Sequence, residues 1–169
     1  MSADPTVAGA AAPSAGQLAD LVYLEARLID EGRWDEWYAM YAEDAVYWVP
    51  LVPGQPDGEN HTSLMYEDRL LLKLRIERFS NPRSFSLHPP VRCLHVLQRP
   101  ELEQADPGAG LWTTRTAQLY VETQGTAQTV LAATVRHTFA MVDGAPRIRL
   151  KRVDLLNCDA PLPSIQLFP

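Results

Sequence analysis

A chain of 169 residues with 15 basic and 21 acidic side chains, a formal charge of -6, has no surplus of cations to replace phosphate counterions. General nucleic-acid binding is therefore excluded, and so is attraction to an anionic membrane surface. A hydrophobic content of 46% and a charged content of 21% are those of an ordinary globular domain, long enough to bury roughly two thirds of the surface its unfolded form exposes.

The two cysteines, Cys93 and Cys158, make no disulfide framework and point to a reduced, cytoplasmic setting. No apolar run approaches the roughly eighteen residues of a membrane helix. Residues 1–16 are Ala- and Pro-rich but lack a basic lead and a long apolar core, so they read as a flexible arm, or one that orders against a partner subunit, rather than a secretion signal. Residues 17–169 read as one domain.

The first helix is expected after Ser14, a good cap, and ends at about Glu31, where Gly32 supplies a left-handed stop. Leu18, Leu21, Val22, Leu28 and Ile29 make its apolar stripe, and Glu25 falls in the middle of that stripe. A carboxylate there must be paired, protonated or at a cavity edge, because burying it bare is too costly. Arg33 to about Met40 reads as a short second helix and Ala45 to Val49 as a strand, stopped by Pro50 and Pro53. Six aromatics, Trp34, Trp37, Tyr38, Tyr41, Tyr47 and Trp48, crowd this stretch and should organise the core. A loop, Gly54 to Asn60, follows. Thr62 or Ser63 is expected to cap a third helix reaching about Phe79, with Asp68 and Arg75 near its apolar side. With Glu25 these two would form a structural polar cluster; snorkelling at the helix edge is the alternative for Arg75.

Beyond Pro82 the pattern is extended. Strands are expected over Val91 to Leu97, Leu111 to Glu122, Ala127 to Val142 and Arg147 to about Asn157, with a Pro/Gly-rich loop from Pro100 to Gly110 and a hairpin at Asp143-Gly144. In Leu111 to Val121 the odd positions read as the apolar face except for Thr113 and Arg115, and in Ala127 to Val142 the odd positions do so too, with His137 the exception among them. On the last strand Arg152 and Asp154 share a side and can pair. Helices followed by consecutive strands predict an α+β fold, with about three helices over the concave face of a curved, mostly antiparallel sheet.

Such a cone encloses a small-molecule cavity. Tyr23, Glu25, Asp68, His95 and His137 are its candidate lining residues, and a carboxylate with a histidine in apolar surroundings can move a proton. The same groups can equally hold helices to the sheet. Cys93-Leu94-His95 has the C-x-H spacing of half a Rieske centre, but Cys158 has no histidine nearby and cannot supply the other half. No close histidine pairing suggests mononuclear iron, and there is no phosphate loop or G-x-S-x-G elbow.

The run Glu25-Ala26-Arg27-Leu28-Ile29-Asp30-Glu31-Gly32-Arg33-Trp34-Asp35-Glu36-Trp37, followed by Tyr47-Trp48-Val49-Pro50, resembles the small (beta) subunit of bacterial aromatic-ring-hydroxylating dioxygenases. Tyr66-Glu67-Asp68-Arg69 with Arg75 and Arg78 is similar to that family's acidic-Arg segment, and Pro89-Pro90, Arg136 and Ile148 to Leu155 also fit. The resemblance implies a nuclear-transport-factor-2-like cone fold. It also implies no catalytic, metal or cofactor-binding residues in this chain, the Rieske cluster and mononuclear iron residing in a large alpha partner, and a hexamer of three alpha and three beta chains. A free-standing isomerase, dehydratase or cyclase of the same fold is the competing reading, since the fold hosts unrelated chemistries. The two differ in what they expose: a subunit should show a contiguous apolar patch at the rim and charges buried in mutual pairs, an enzyme an open pocket with an unpaired acid or base.

Overall fold

In a computed structural model, which describes residues 11–169, the first helix, α1 (Ala15–Asp30), opens with Ser14 and Gln17 in a reciprocal capping box and ends where Gly32 takes a φ of +66°. Its buried side carries Leu18, Val22, Leu28 and Ile29, and each such side chain contributes about 1.5–3 kcal/mol by leaving water. A short helix, α2 (Trp34–Ala39), turns the chain into β1 (Tyr41–Pro50). There follow β2 (Ser63–Asp68), α3 (Arg69–Phe79), a single 3₁₀ turn at Phe85–Leu87, and then β3 (Val91–Leu97), β4 (Glu101–Asp106), β5 (Leu111–Gln124), β6 (Ala127–Val142) and β7 (Ala145–Leu155).

The seven strands form one open sheet in the order β2-β1-β7-β6-β5-β3, with β4 pairing the other half of the same edge of β5. All pairings are antiparallel except β1 with β7. Register shifts at Val49/Pro50 and Thr138/Phe139 mark bulges, which bend a strand and help the sheet wrap the helices. The core lies between α1, α2 and the concave face, where Trp37, Tyr47, Phe139 and Phe168 are fully buried.

Three details differ from the sequence reading. The third helix begins at Arg69, not Thr62: residues 63–68 pair with β1 as a strand, and Asp68, not Thr62 or Ser63, caps the helix by accepting from the Leu71 N–H at 2.9 Å. The stretch expected as a loop from Pro100 contains β4, whose side chains are all exposed, so it has no apolar alternation to betray it. On β5 the even positions, Trp112, Thr114, Thr116, Gln118 and Tyr120, face inward, and the apolar odd positions face out.

Candidate functional site

Glu25 is a densely bonded carboxylate inside the cone, accepting four hydrogen bonds. It is 1% exposed, and its two carboxylate oxygens accept from Lys151 Nζ on β7 at 3.0 and 3.1 Å. The same carboxylate accepts from Trp37 Nε1 on α2 at 2.7 Å and from the Tyr41 hydroxyl on β1 at 3.1 Å. Burial opposes its ionisation, but the Lys151 ammonium, the neighbouring His137 ring and the Trp37 N–H outweigh that cost and hold the carboxyl far below the usual range. His137 Nε2 lies 3.5 Å from Glu25 Oε2, oblique to it, so it is an electrostatic neighbour rather than a bonded one. Burial lowers the His137 pKa despite the nearby carboxylate, and the ring is neutral at pH 7. A general base needs a free lone pair and a path to substrate. Glu25 has its oxygens taken and is sealed, so this arrangement ties α1 and α2 to β1 and β7 instead of moving protons.

A second polar group sits at the other end of α1. Asp30 accepts from the His95 backbone N–H at 3.0 Å and faces His95 Nδ1 at 2.6 Å, while Cys93 Sγ is 3.6 Å from the same carboxylate. Residues two apart on β3 share a face, which is why Cys93 and His95 meet the helix end together. Burial, aided by the Asp30 charge, pushes the Cys93 thiol well above its ordinary range.

The space inside the cone beside this group is filled by residues 166–169. Phe168 packs at 4.5 Å from the Trp37 ring, 5.4 Å from Tyr47 and 5.8 Å from Phe79. Its carbonyl meets His95 Nε2 at 3.1 Å, Tyr47 donates to the Pro169 carbonyl, and Glu122 accepts from the backbone N–H groups of Gln166 and Leu167. The segment thus fills interior space between α1, α2 and the sheet that a substrate of a cone-fold enzyme would need.

Of the residues singled out in the sequence, Glu25 and His137 come together, whereas Asp68 and Arg75 do not join them. Asp68 caps α3 at the surface, and Arg75 forms a bidentate pair with Glu67, with Nε at 3.0 Å from Glu67 Oε2. The reason is the changed start of α3, which moves Asp68 from a helix face to a helix end. Tyr23 is 42% exposed on the outer side of α1, and His95 pairs with Asp30 away from Glu25. Arg152 and Asp154 do pair, at 2.8 Å, under the Trp48 ring. Lys151, Glu122 and Asp30 were missed. Lys151 was legible in principle, since alternation places it on the side of Val153 and Leu155.

Thr114 Oγ1, Thr116 Oγ1, Gln118 Nε2 and both His137 ring nitrogens are buried without hydrogen-bond partners. They line the inner faces of β5 and β6, where Thr114 lies opposite His137. A Rieske cluster does not fit the residues present: Cys93 and His95 are gathered with Asp30, and Cys158 lies past β7 outside that group.

Comparison with known proteins aligns this architecture with one family. The model of the ring hydroxylating beta subunit matches residues 24–160. The toluate 1,2-dioxygenase subunit beta of Pseudomonas putida is 36% identical over 93 residues, which cover 52% of this chain and 57% of that relative, so the chain spans a little over half its length. The beta subunit of benzoate 1,2-dioxygenase from Burkholderia mallei superposes with a TM-score of 0.69 at 28% identity, covering 85% of this chain and 91% of that one. An NTF2-like protein from Novosphingobium aromaticivorans, at 15% identity and a TM-score of 0.57 over 84% of this chain and 81% of its own, shows the shared fold alone.

Proposed function

This chain belongs to the family of ring-hydroxylating beta subunits, and from that membership we propose that it is the non-catalytic assembly subunit of a Rieske non-haem iron aromatic-ring-hydroxylating dioxygenase. The observation that carries the proposal is the saturation of Glu25: the carboxylate best placed for acid–base work is locked into Lys151, Trp37 and Tyr41 with 1% exposure. In this reading the alpha subunit holds the Rieske cluster and the mononuclear iron, three alpha and three beta chains form a hexamer, and the complex works in the cytoplasm. Two relatives are named for toluate and benzoate, so an aromatic carboxylic acid is the proposed substrate class of the complex. A free-standing isomerase, dehydratase or cyclase is disfavoured by the filled interior, where Phe168 is fully buried.

Co-expression with an alpha subunit of the ring-hydroxylating dioxygenase family tests the proposal. The expected result is a co-purifying complex of hexameric mass whose oxygenase activity toward benzoate-type acids exceeds that of either chain alone. Failure to associate, together with turnover of a small molecule by this chain alone, overturns it.

A further inference from the structure

The C-x-H sequence on β3 lacks a second metal-ligand pair in the sequence, but the fold supplies a third ligand from a residue 63 positions earlier. The Cys93 thiol, the His95 ring and the Asp30 carboxylate place one ligand atom each within 4.8 Å of one another. We propose that Asp30, Cys93 and His95 form a binding site for a single divalent transition metal of the zinc type, with its fourth position open to the adjoining cavity.

The hydrogen bonding around His95 calls for a cation between its ring and Asp30. Nε2 lies 3.1 Å from the Phe168 carbonyl oxygen, which can only accept, so this nitrogen carries the hydrogen. In the neutral ring Nδ1 then presents a lone pair, and it faces Asp30 Oδ1 at 2.6 Å. Two acceptors cannot face each other at that distance without a cation between them, which is either a proton or a metal. The arrangement is also the one metal-binding histidines use: one ring nitrogen donates to a backbone carbonyl, which fixes the tautomer and aims the other nitrogen at the ion. The His95 backbone N–H performs the same service for Asp30, holding Oδ2 at 3.0 Å and leaving Oδ1 turned toward Cys93 and Nδ1.

One of the separations already fits the ion, and a second needs a small adjustment. Tetrahedral zinc, with bonds of about 2.3 Å to sulfur and about 2.0–2.1 Å to nitrogen and oxygen, sets ligand atoms about 3.3–3.6 Å apart. Cys93 Sγ and Asp30 Oδ1 already stand at 3.6 Å, and the Asp30 to His95 separation has to open by less than about 1 Å, within the reach of a small χ rotation. Thiolate, imidazole and carboxylate together favour zinc or cobalt over the harder calcium and magnesium, which take oxygen ligands. Access exists as well. Asp30 and Cys93 line a cavity of about 410 Å³, bordered by Trp34, His88, Arg92 and Leu167, through which an ion and a water ligand can enter. This site does not depend on the assembly role proposed above.

The test uses the full chain, purified reduced and stripped with a chelator, and titrated with Co2+ alone and then with Zn2+ alone. One equivalent of Co2+ is expected to give near-ultraviolet thiolate-to-cobalt absorption and the visible bands of a tetrahedral ion, both removed by added Zn2+. Cys93→Ser should lose the near-ultraviolet band and Cys158→Ser should keep it, while Asp30→Asn keeps it with about tenfold or more weaker binding. Zn2+ should also protect Cys93 from alkylation in the unaltered chain, as mapped by mass spectrometry, which decides the question even if a variant fails to fold. Absence of the thiolate band at millimolar Co2+, its persistence in Cys93→Ser, or unchanged alkylation with Zn2+ overturns the proposal and leaves a proton as the cation between Asp30 and His95.

Discussion

Removing water from Glu25 and Lys151 costs several kcal/mol per ion, and the pair offsets this only because each charge retains its partner. Lys151→Met should therefore destabilise the chain by about 3–5 kcal/mol, and Glu25→Gln by a comparable amount, since each strands one charge in the core. Replacing both should recover most of the loss; urea midpoints that simply add in the double variant would show the two residues to be uncoupled. Acid should act through the same group. Glu25 ionises in the fold below its ordinary value of 4.5, and His137 protonates below its ordinary 6.5. Both groups therefore bind protons more readily in the unfolded chain, so their contribution is complete above about pH 6.5 and falls with pH, first through His137 and then, below about 4.5, through Glu25. Thermal scans from pH 8 to pH 2 should show this decline, and the Glu25→Gln/Lys151→Met double variant should lack its lower limb. The anomaly at Glu25 was legible from helical spacing alone. Alternation marks Lys151 as an inward-facing cation, but its pairing with Glu25 was not legible, because the two are 126 residues apart and meet only once β7 has returned beside β1.

Elements differ in how plainly their sequences declare them. The hairpin of β6 and β7 is announced by Asp143-Gly144, with Asp143 at φ +50° and Gly144 at +78°, and β6 spans the residues that its alternation marks. The segment 62–79 is different, because Leu64, Met65, Leu71, Leu72, Ile76 and Phe79 carry a helical spacing that continues across a strand. Pairing with β1 overrides it: Trp48 stands opposite Tyr66 and Val49 opposite Met65, and only Leu72 is buried in what remains of the helix. β4 is held by backbone bonds to β5 and by the surface pair of Glu103 with Arg136 of β6, and with every side chain exposed it has no apolar alternation to reveal it. The junction at Asp68 makes a specific expectation. Asp68→Ala should cost about 1 kcal/mol through the lost cap on the Leu71 N–H, seen as a lower melting temperature, with Asp68→Asn near the unaltered value. An Asp68→Ala chain as stable as the original would mean that the bond to Glu67 from Arg75 alone fixes the start of α3.

At the scale of the whole molecule, the inward turn of the even positions on β5 leaves the odd ones on the outer surface, and the register joins them to neighbours of the same character. Leu94, Val121 and Val130 stand in one row across β3, β5 and β6, and Val96, Leu119 and Ala132 in the next. Leu94, Val96, Leu119 and Val130 are 54%, 51%, 45% and 56% exposed. The sequence reading expected an apolar patch at the rim of the cone; this one lies on the convex face of the sheet instead, because alternation defines two faces of a strand without saying which meets the core. Contiguous exposed aliphatic rows of this kind mark contact surfaces, and burying them against another subunit is the use the assembly role provides. The variant Val96→Lys/Leu119→Lys separates that use from folding. Surface changes away from the core shift stability by about 0.5 kcal/mol or less, so the melting temperature of the isolated chain should be nearly unchanged. Two ammonium groups placed in a dry contact would lack partners, so the complex with the alpha subunit should fall apart or fail to form, read as mass by light scattering at equal protein concentration. A double variant that still assembles to full mass would move the contact elsewhere, and the exposed Leu70, Leu71 and Leu74 of α3 would be the next surface to alter.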